Sequence, residues 1–284
     1  MAGFFGLFNY EKEGPGISKN APKKKTFIVF FETFFRNFWK FIPTNLIYSL
    51  LSLPVLTNGL AAVGITHVTR NTARDKHSFG LSDFFETIKK NWKQSLAAGI
   101  INSIVYAILL ADLFFFYSNA AGWFSTVGVA MCLCLLFIFT VMGYYIWTLM
   151  ITFHFSMKQI YKNSFRFVFI NMKLNLLCFF VILLVYAINA AILFLLGSYW
   201  VFVLMIELIL YALTFPCFKF LLMQYCVFPS VKKCIIDPYY RDHPFEDIEK
   251  RRDLGLEIEE LDKKDEEETE EDDDGEEPEN VFED

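Results

Sequence analysis

Two long stretches of this chain lack charge: no Asp, Glu, Lys or Arg occurs between Leu113 and Met157, or between Leu174 and Ile206. A soluble helix of such length would turn a polar face to water, so the absence excludes ordinary solvated helices there. About 20 consecutive apolar residues cross a bilayer, and in lipid the backbone must satisfy its own hydrogen bonds, so such runs become helices. Turn-like residues interrupt both runs, Ser118-Asn119-Ala120-Ala121-Gly122 in the first and Gly197-Ser198 in the second. Each run therefore holds parts of two helices, and the chain reads as multi-pass.

Catalytic signatures are missing too. There is no glycine-rich phosphate loop, no His-Glu-x-x-His and no Gly-x-Ser-x-Gly. The six cysteines, at 132, 134, 178, 217, 226 and 234, sit mostly in apolar surroundings. Cys132 and Cys134 would point about 200° apart on a helix, so they cannot share a metal. The expected role for all six is that of small buried hydrophobes. His67 and His154 fall at cytoplasmic helix ends, His77 and His243 in polar loops, and none has a partner at metal-ligand spacing. The expectation is a non-enzymatic protein without cofactor or metal residues. The start, Met1-Ala2-Gly3-Phe4-Phe5-Gly6-Leu7-Phe8, has neither the basic region nor the cleavage site of a signal peptide, so the amino terminus is expected to be retained.

What the chain has in abundance is apolar surface. Hydrophobic residues form 55% of it, and phenylalanine takes 34 of 284 positions, well beyond the usage of a soluble domain. Charge is divided unevenly. Residues 242–284 hold 23 acids and 5 bases, a net of −18, while residues 1–241 hold 9 acids and 21 bases, a net of +12. The run from Asp265 to Asp274 repels itself and has little to bury. It reads as a solvated disordered tail, or alternatively as one that docks on the basic cytoplasmic elements. The basic body itself is explained by topology and gives no reason to expect nucleic acid as a partner.

Lys and Arg cluster four times: Lys19, Lys23, Lys24 and Lys25 with Arg36 and Lys40; Arg70 to Lys93; Lys158 to Lys173; and Lys232, Lys233 and Arg241. If every cluster is cytoplasmic, an even number of crossings separates successive clusters. The expected fold is an all-α polytopic transmembrane helical bundle of six helices in three hairpins, with both termini inside. Its parts are a cytoplasmic segment over 1–25, a helical membrane domain over 26–235 and the acidic tail over 236–284. Ser95–Tyr117, Trp123–Phe153, Leu174–Leu196 and Trp200–Tyr225 supply the second and third hairpins.

The first hairpin is ambiguous. Thr26–Ser52 would make one helix of about 40 Å, Pro54 and Gly59 then break it, and Leu60–Thr69 spans only about 15 Å. Either the second helix takes in the basic stretch 70–76 or the pair is re-entrant. Glu32, Arg36 and Lys40 share one face at i, i+4 and i+8, which allows a Glu32–Arg36 pair beside a phenylalanine-rich apolar face. Asp83–Lys93 is a second amphipathic segment, with Asp83 and Glu86 at N-cap and N3 positions. Both read as interfacial elbows, or as sites for lipid or partner binding. A weak echo links Ile88-Lys89-Lys90-Asn91 to Ile160-Tyr161-Lys162-Asn163, each leading into a hairpin.

Intramembrane charge is costly and so marks candidates. Asp112 lies near the outer end of the third helix and Glu207 in the upper middle of the sixth. Asp112 can reach outer-interface water. Glu207 faces the interior, either hydrogen-bonded to Asn102, Asn189 or Gln224 or acting in an ion or substrate path. Glu207, Asp112 and Asn102 are the candidate polar site. Lys219, nearer the inner end, can snorkel.

The first ninety-five residues carry a resemblance. Gly14-Pro15-Gly16-Ile17-Ser18-Lys19-Asn20-Ala21-Pro22-Lys23-Lys24, Phe35-Arg36-Asn37-Phe38-Trp39-Lys40, Asn45-Leu46-Ile47-Tyr48, Leu53-Pro54-Val55-Leu56-Thr57-Asn58-Gly59 and Lys89-Lys90-Asn91-Trp92-Lys93-Gln94-Ser95 follow in an order that resembles the YesL family, bacterial membrane proteins of unknown function. Leu60 stands where that family often has proline, and Pro43-Thr44 where leucine is usual before the asparagine. The resemblance implies a bacterial cytoplasmic membrane location and an accessory or regulatory role beside a carbohydrate uptake system. It supplies no catalytic residues. The expected partners are the lipid bilayer and a carbohydrate transporter subunit or membrane signalling protein; the alternative function is a small transporter or channel in its own right.

Overall fold

The computed structural model describes residues 26–76, 78–119, 122–195 and 199–242. The segment 1–25 and the chain from 243 on, where the acidic tail and its docking were expected, lie outside the described residues. Among the described residues every regular element is helical: α1 (Thr26–Arg36), α2 (Phe38–Ser52), a 3-10 turn (Val55–Thr57), α3 (Asn58–Ala73), α4 (Leu81–Ser118), α5 (Trp123–Thr152), α6 (Met157–Ile170), α7 (Met172–Leu195) and α8 (Trp200–Val231). α8 continues through a π turn (Lys232–Ile236) into α9 (Asp237–Asp242). The first residues assigned to the tail are thus helical, and Ile236 is buried.

Four stretches are long and apolar enough to cross a membrane: Leu81–Ser118, Trp123–Thr152, Met172–Leu195 and Val201–Arg241. They coincide with the second and third hairpins read from the charge pattern. This is an all-helical membrane protein. α4 begins earlier than Asp83, at Leu81 after Gly80, whose φ of 58° suits glycine. Asp83 occupies N3 rather than the N-cap, and its carboxylate accepts from the Phe79 N–H at 3.0 Å and the Ser78 hydroxyl at 2.9 Å. The second lead-in is separate from its span. Ser156 and Gln159 form a capping box that starts α6, and Asn171 then interrupts the chain before α7. Its amide donates to the Cys226 carbonyl at 3.0 Å and to Tyr145 Oη at 3.3 Å.

The first hairpin differs from the expected single 27-residue helix. The chain bends at Asn37, whose φ of −102° and ψ of 9° leave the helical well. The Asn37 amide donates to the Thr33 carbonyl at 3.0 Å, the side-chain competition that makes asparagine a poor helix former. α2 has 15 residues and α3 has 16, about 22–24 Å each against a hydrocarbon core of about 30 Å. α3 runs on through Arg70 only to Ala73, so it takes in part of the basic stretch 70–76.

α3 is the axis of one half of the bundle, its base. Ala61, Val63, Ile65 and Thr69 are fully buried among α2, α4, α5 and α8. Small residues allow this. A Cβ added at Gly59 would stand 2.1 Å from the Ser95 carbonyl oxygen and 2.8 Å from the Gly99 Cα, so α3 and α4 touch backbone to backbone. Polar residues fit the same core because Thr66, Thr69 and Thr72 each donate to a carbonyl one turn earlier in α3. At its foot, Arg70 donates to Thr152 Oγ1 at 3.0 Å, and the Arg74 guanidinium stacks 3.7 Å from the Phe228 ring.

The opposite half is thinner. No described side chain of α4 beyond Asn102, of α7 beyond Ile182 or of α8 before Phe215 is buried. Two hairpins, α4–α5 and α7–α8, rise from a compact base built around α3.

Candidate functional site

A cavity of about 250 Å³ lies at the top of that base, bounded by α2, α3, α4, α5, α7 and α8. Its wall is polar and aromatic: Tyr48 from α2, Asn102 and Tyr106 from α4, Tyr144 and Trp147 from α5, and Tyr186 from α7. α8 contributes Lys219, the one charged side chain in the described wall. Few precisely aimed polar groups in an aromatic pocket are the usual make-up of a small-molecule site.

Part of the wall is already spoken for. Tyr161 Oη donates to Asn102 Oδ1 at 2.8 Å, and Tyr106 Oη to Thr140 Oγ1 at 3.3 Å. Other groups are open. Tyr144 is only 3% exposed, and its hydroxyl has no hydrogen-bond partner among the described residues. Lys219 has no hydrogen bond or ion pair among the described residues; its ammonium stands 5.6 Å from the Phe220 ring centroid. A lysine on the wall of a cavity between membrane helices is costly to hold there, and such groups mark ligand or ion sites.

Lys219 stands nineteen residues, about 28 Å, past Trp200 on α8, and is half-buried.

Just above Lys219, α8 stays helical while a side chain from α2 bonds to its backbone. Pro216 stands inside the helix and brings no N–H to its ladder. The Asn45 side chain of α2 enters at that turn. Its Nδ2 donates to the Leu213 carbonyl at 2.6 Å, and its Oδ1 accepts from the Cys217 N–H at 2.7 Å. Those two backbone groups are the pair that a regular helix would join to each other. Asn45 is 1% exposed, so α2 and α8 are stitched by a buried amide beside the cavity.

The three residues singled out from sequence are not brought together. Asn102 lines the cavity and is buried. Asp112 is exposed, ten residues or about 15 Å further along α4. Glu207 is half-buried about 18 Å before Lys219 on α8, with one carboxylate oxygen buried and unpartnered. Its suggested partners are engaged elsewhere: Asn189 donates to the Val185 carbonyl at 2.7 Å and Gln224 to Thr148 Oγ1 at 3.0 Å. The tyrosines and Asn45 were missed. Their only signal was a polar tip inside apolar runs on separate helices, which spacing along one helix cannot show to converge. Of the cysteines, Cys132, Cys178, Cys217 and Cys226 are buried, whereas Cys134 and Cys234 are exposed.

Residues 41–113, which span most of α2, all of α3 and most of α4, match a family described as "Protein of unknown function, DUF624". The matched stretch holds Asn45, Gly59, Gly99 and Asn102. No curated protein and no solved structure matches the chain.

Proposed function

We propose that this non-enzymatic membrane protein binds a small anionic solute inside its helical bundle and acts as a small transporter in its own right. The observation that carries the reading is Lys219, the one charged side chain on the described wall of a tyrosine-lined cavity, three residues past Pro216 of α8. Trp147 lines the same cavity and reports on it. Titrating the purified protein with neutral monosaccharides, short-chain carboxylates and small organic phosphates should change tryptophan fluorescence for an anion, and the change should vanish in Trp147→Phe. No response to any of these solutes removes the reading.

A second reading, an accessory or regulatory partner of a carbohydrate uptake system or of a membrane signalling protein, draws on the YesL resemblance. It is favoured by the apolar outer faces of α7 and α8, where Phe194 and Phe202 are 86% and 70% exposed. Flux of the bound solute into proteoliposomes containing this protein alone decides for the transporter.

The orientation we infer has both termini on the cytoplasmic side of a bacterial cell membrane, with the basic clusters inside. Four crossings and a re-entrant α2–α3 pair satisfy this as well as six crossings do, and the geometry favours the former. The hairpin tip is apolar and exposed at Leu53, Val55 and Leu56. It also meets α4 at Gly99, with nineteen residues of α4, about 28 Å, still to run to Ser118. With Cys134 and Cys234 replaced by Ser, Leu56→Cys should resist a membrane-impermeant thiol reagent from both faces. Labelling from outside would establish six crossings instead.

A further inference from the structure

α6 joins two membrane-crossing helices and is too short to cross itself. Its fourteen residues, about 21 Å, follow the end of α5 at Thr152 and precede α7 at Met172. One side of it is packed. Ile160, Phe167 and Val168 are buried, Phe167 stacks on Tyr145 with ring centroids 5.0 Å apart, and Tyr161 holds Asn102 of the cavity wall. The opposite side is therefore held facing outward. It carries Lys158, Lys162 and Arg166 at i, i+4 and i+8, all exposed. The sequence has no Asp or Glu between Asp112 and Glu207. Among the described residues the three bases form no ion pair and no hydrogen bond.

Two phenyl rings share that outward side. At 3.6 residues per turn, Phe165 and Phe169 fall with the three bases in a sector of about 100° around the helix axis. The lysines occupy the first half of α6, and the rings, 48% and 52% exposed, occupy the second. The face thus passes from ammonium to phenyl in the direction of α7, the helix that enters the membrane. Bases at headgroup level and aromatic rings at the edge of the acyl chains are the arrangement of a helix lying in a lipid interface. A soluble anion, or the chain's own acids, would satisfy the bases and leave the rings in water. We propose that this face of α6 is a docking surface for anionic phospholipid. The phosphates are held by Lys158, Lys162 and Arg166, and the acyl chains lie against Phe165 and Phe169.

The test uses the full chain in vesicles of equal parts phosphatidylglycerol and phosphatidylcholine with the same acyl chains. The photoreactive p-benzoylphenylalanine, placed at Phe169, bonds on illumination to what lies against it, and mass spectrometry of the adduct identifies the lipid. A basic side chain near an anionic surface favours it about fivefold, so phosphatidylglycerol adducts should exceed phosphatidylcholine adducts at least about fivefold. The triple variant Lys158→Gln, Lys162→Gln, Arg166→Gln should bring the ratio near one. The charge-keeping triple Lys158→Arg, Lys162→Arg, Arg166→Lys should preserve it. All three side chains are exposed, so both variants should melt as the unaltered protein does. Equal adducts of the two lipids, or an excess that survives the Gln triple, overturns the surface. So does an adduct formed with residues 243–284 in place of lipid, which would make the acidic tail the occupant.

Discussion

Asn45→Leu should be among the most destabilising single substitutions in this protein. Leucine fills a similar volume but can neither donate to the Leu213 carbonyl nor accept from the Cys217 N–H. With Pro216 already removing one donor from that turn, the two groups must close on each other or face apolar side chains, since Phe215, Cys217 and Phe220 are all buried. Two hydrogen bonds between α2 and α8 are lost at once, each contributing about 0.5–1.5 kcal/mol. The expected outcome is a melting temperature in detergent lowered by roughly five to ten degrees. Cys217, fully buried in the native fold, should at the same time become reactive to a thiol reagent. Asn189→Leu is the natural comparison, because the Asn189 amide serves only the Val185 carbonyl of its own helix. It should melt within a few degrees of the unaltered protein. If the two variants melt alike, the bridge between α2 and α8 does not hold the turn together.

This bridge also shows what could and could not be seen before the fold was known. The four long crossings were legible because lipid imposes a demand that composition answers directly: about 20 residues without charge. The ends of those helices were legible from Gly122 and the other turn residues. α3 was not. Its sequence, with Thr66, His67, Thr69 and Arg70, looks too polar and too short to lie at the centre of a membrane bundle. It lies there because its threonines bond back to their own helix and its glycines and alanines let neighbours come to backbone contact. Neither property has a periodicity that a hydropathy reading can detect.

The same limit explains the candidate site. Asp112 and Glu207 drew notice because charge in an apolar run is visible one residue at a time. Asn102, named as a possible partner of Glu207, is the one of the three that lines the cavity. Lys219 was visible too, as a charge toward one end of an apolar run, but its place on the wall of a cavity was not. The tyrosines around it come from α2, α4, α5 and α7, and their meeting is a property of packing.

Replacing Lys219 should separate binding from stability. A lysine that served the fold would have a carboxylate or carbonyl partner, and its loss would weaken the bundle. Lys219 has neither among the described residues; its side chain is half-buried, with the Phe220 ring beside its ammonium. Lys219→Met keeps most of the side-chain volume and removes the charge. Its melting temperature should rise by a few degrees, the sign expected when a functional group is traded for an apolar one. Solute binding should move the other way. A hydrogen bond to a charged group contributes about 1.5–3 kcal/mol, which corresponds to roughly ten- to a hundredfold weaker binding of the anion that quenches Trp147. Lys219→Arg keeps the charge and should restore most of the affinity. Tyr144→Phe removes only a neutral donor, so it should weaken binding by less, about three- to tenfold. A Lys219→Met protein that melts lower and binds as before would make the lysine a structural residue and leave the cavity without its ligand.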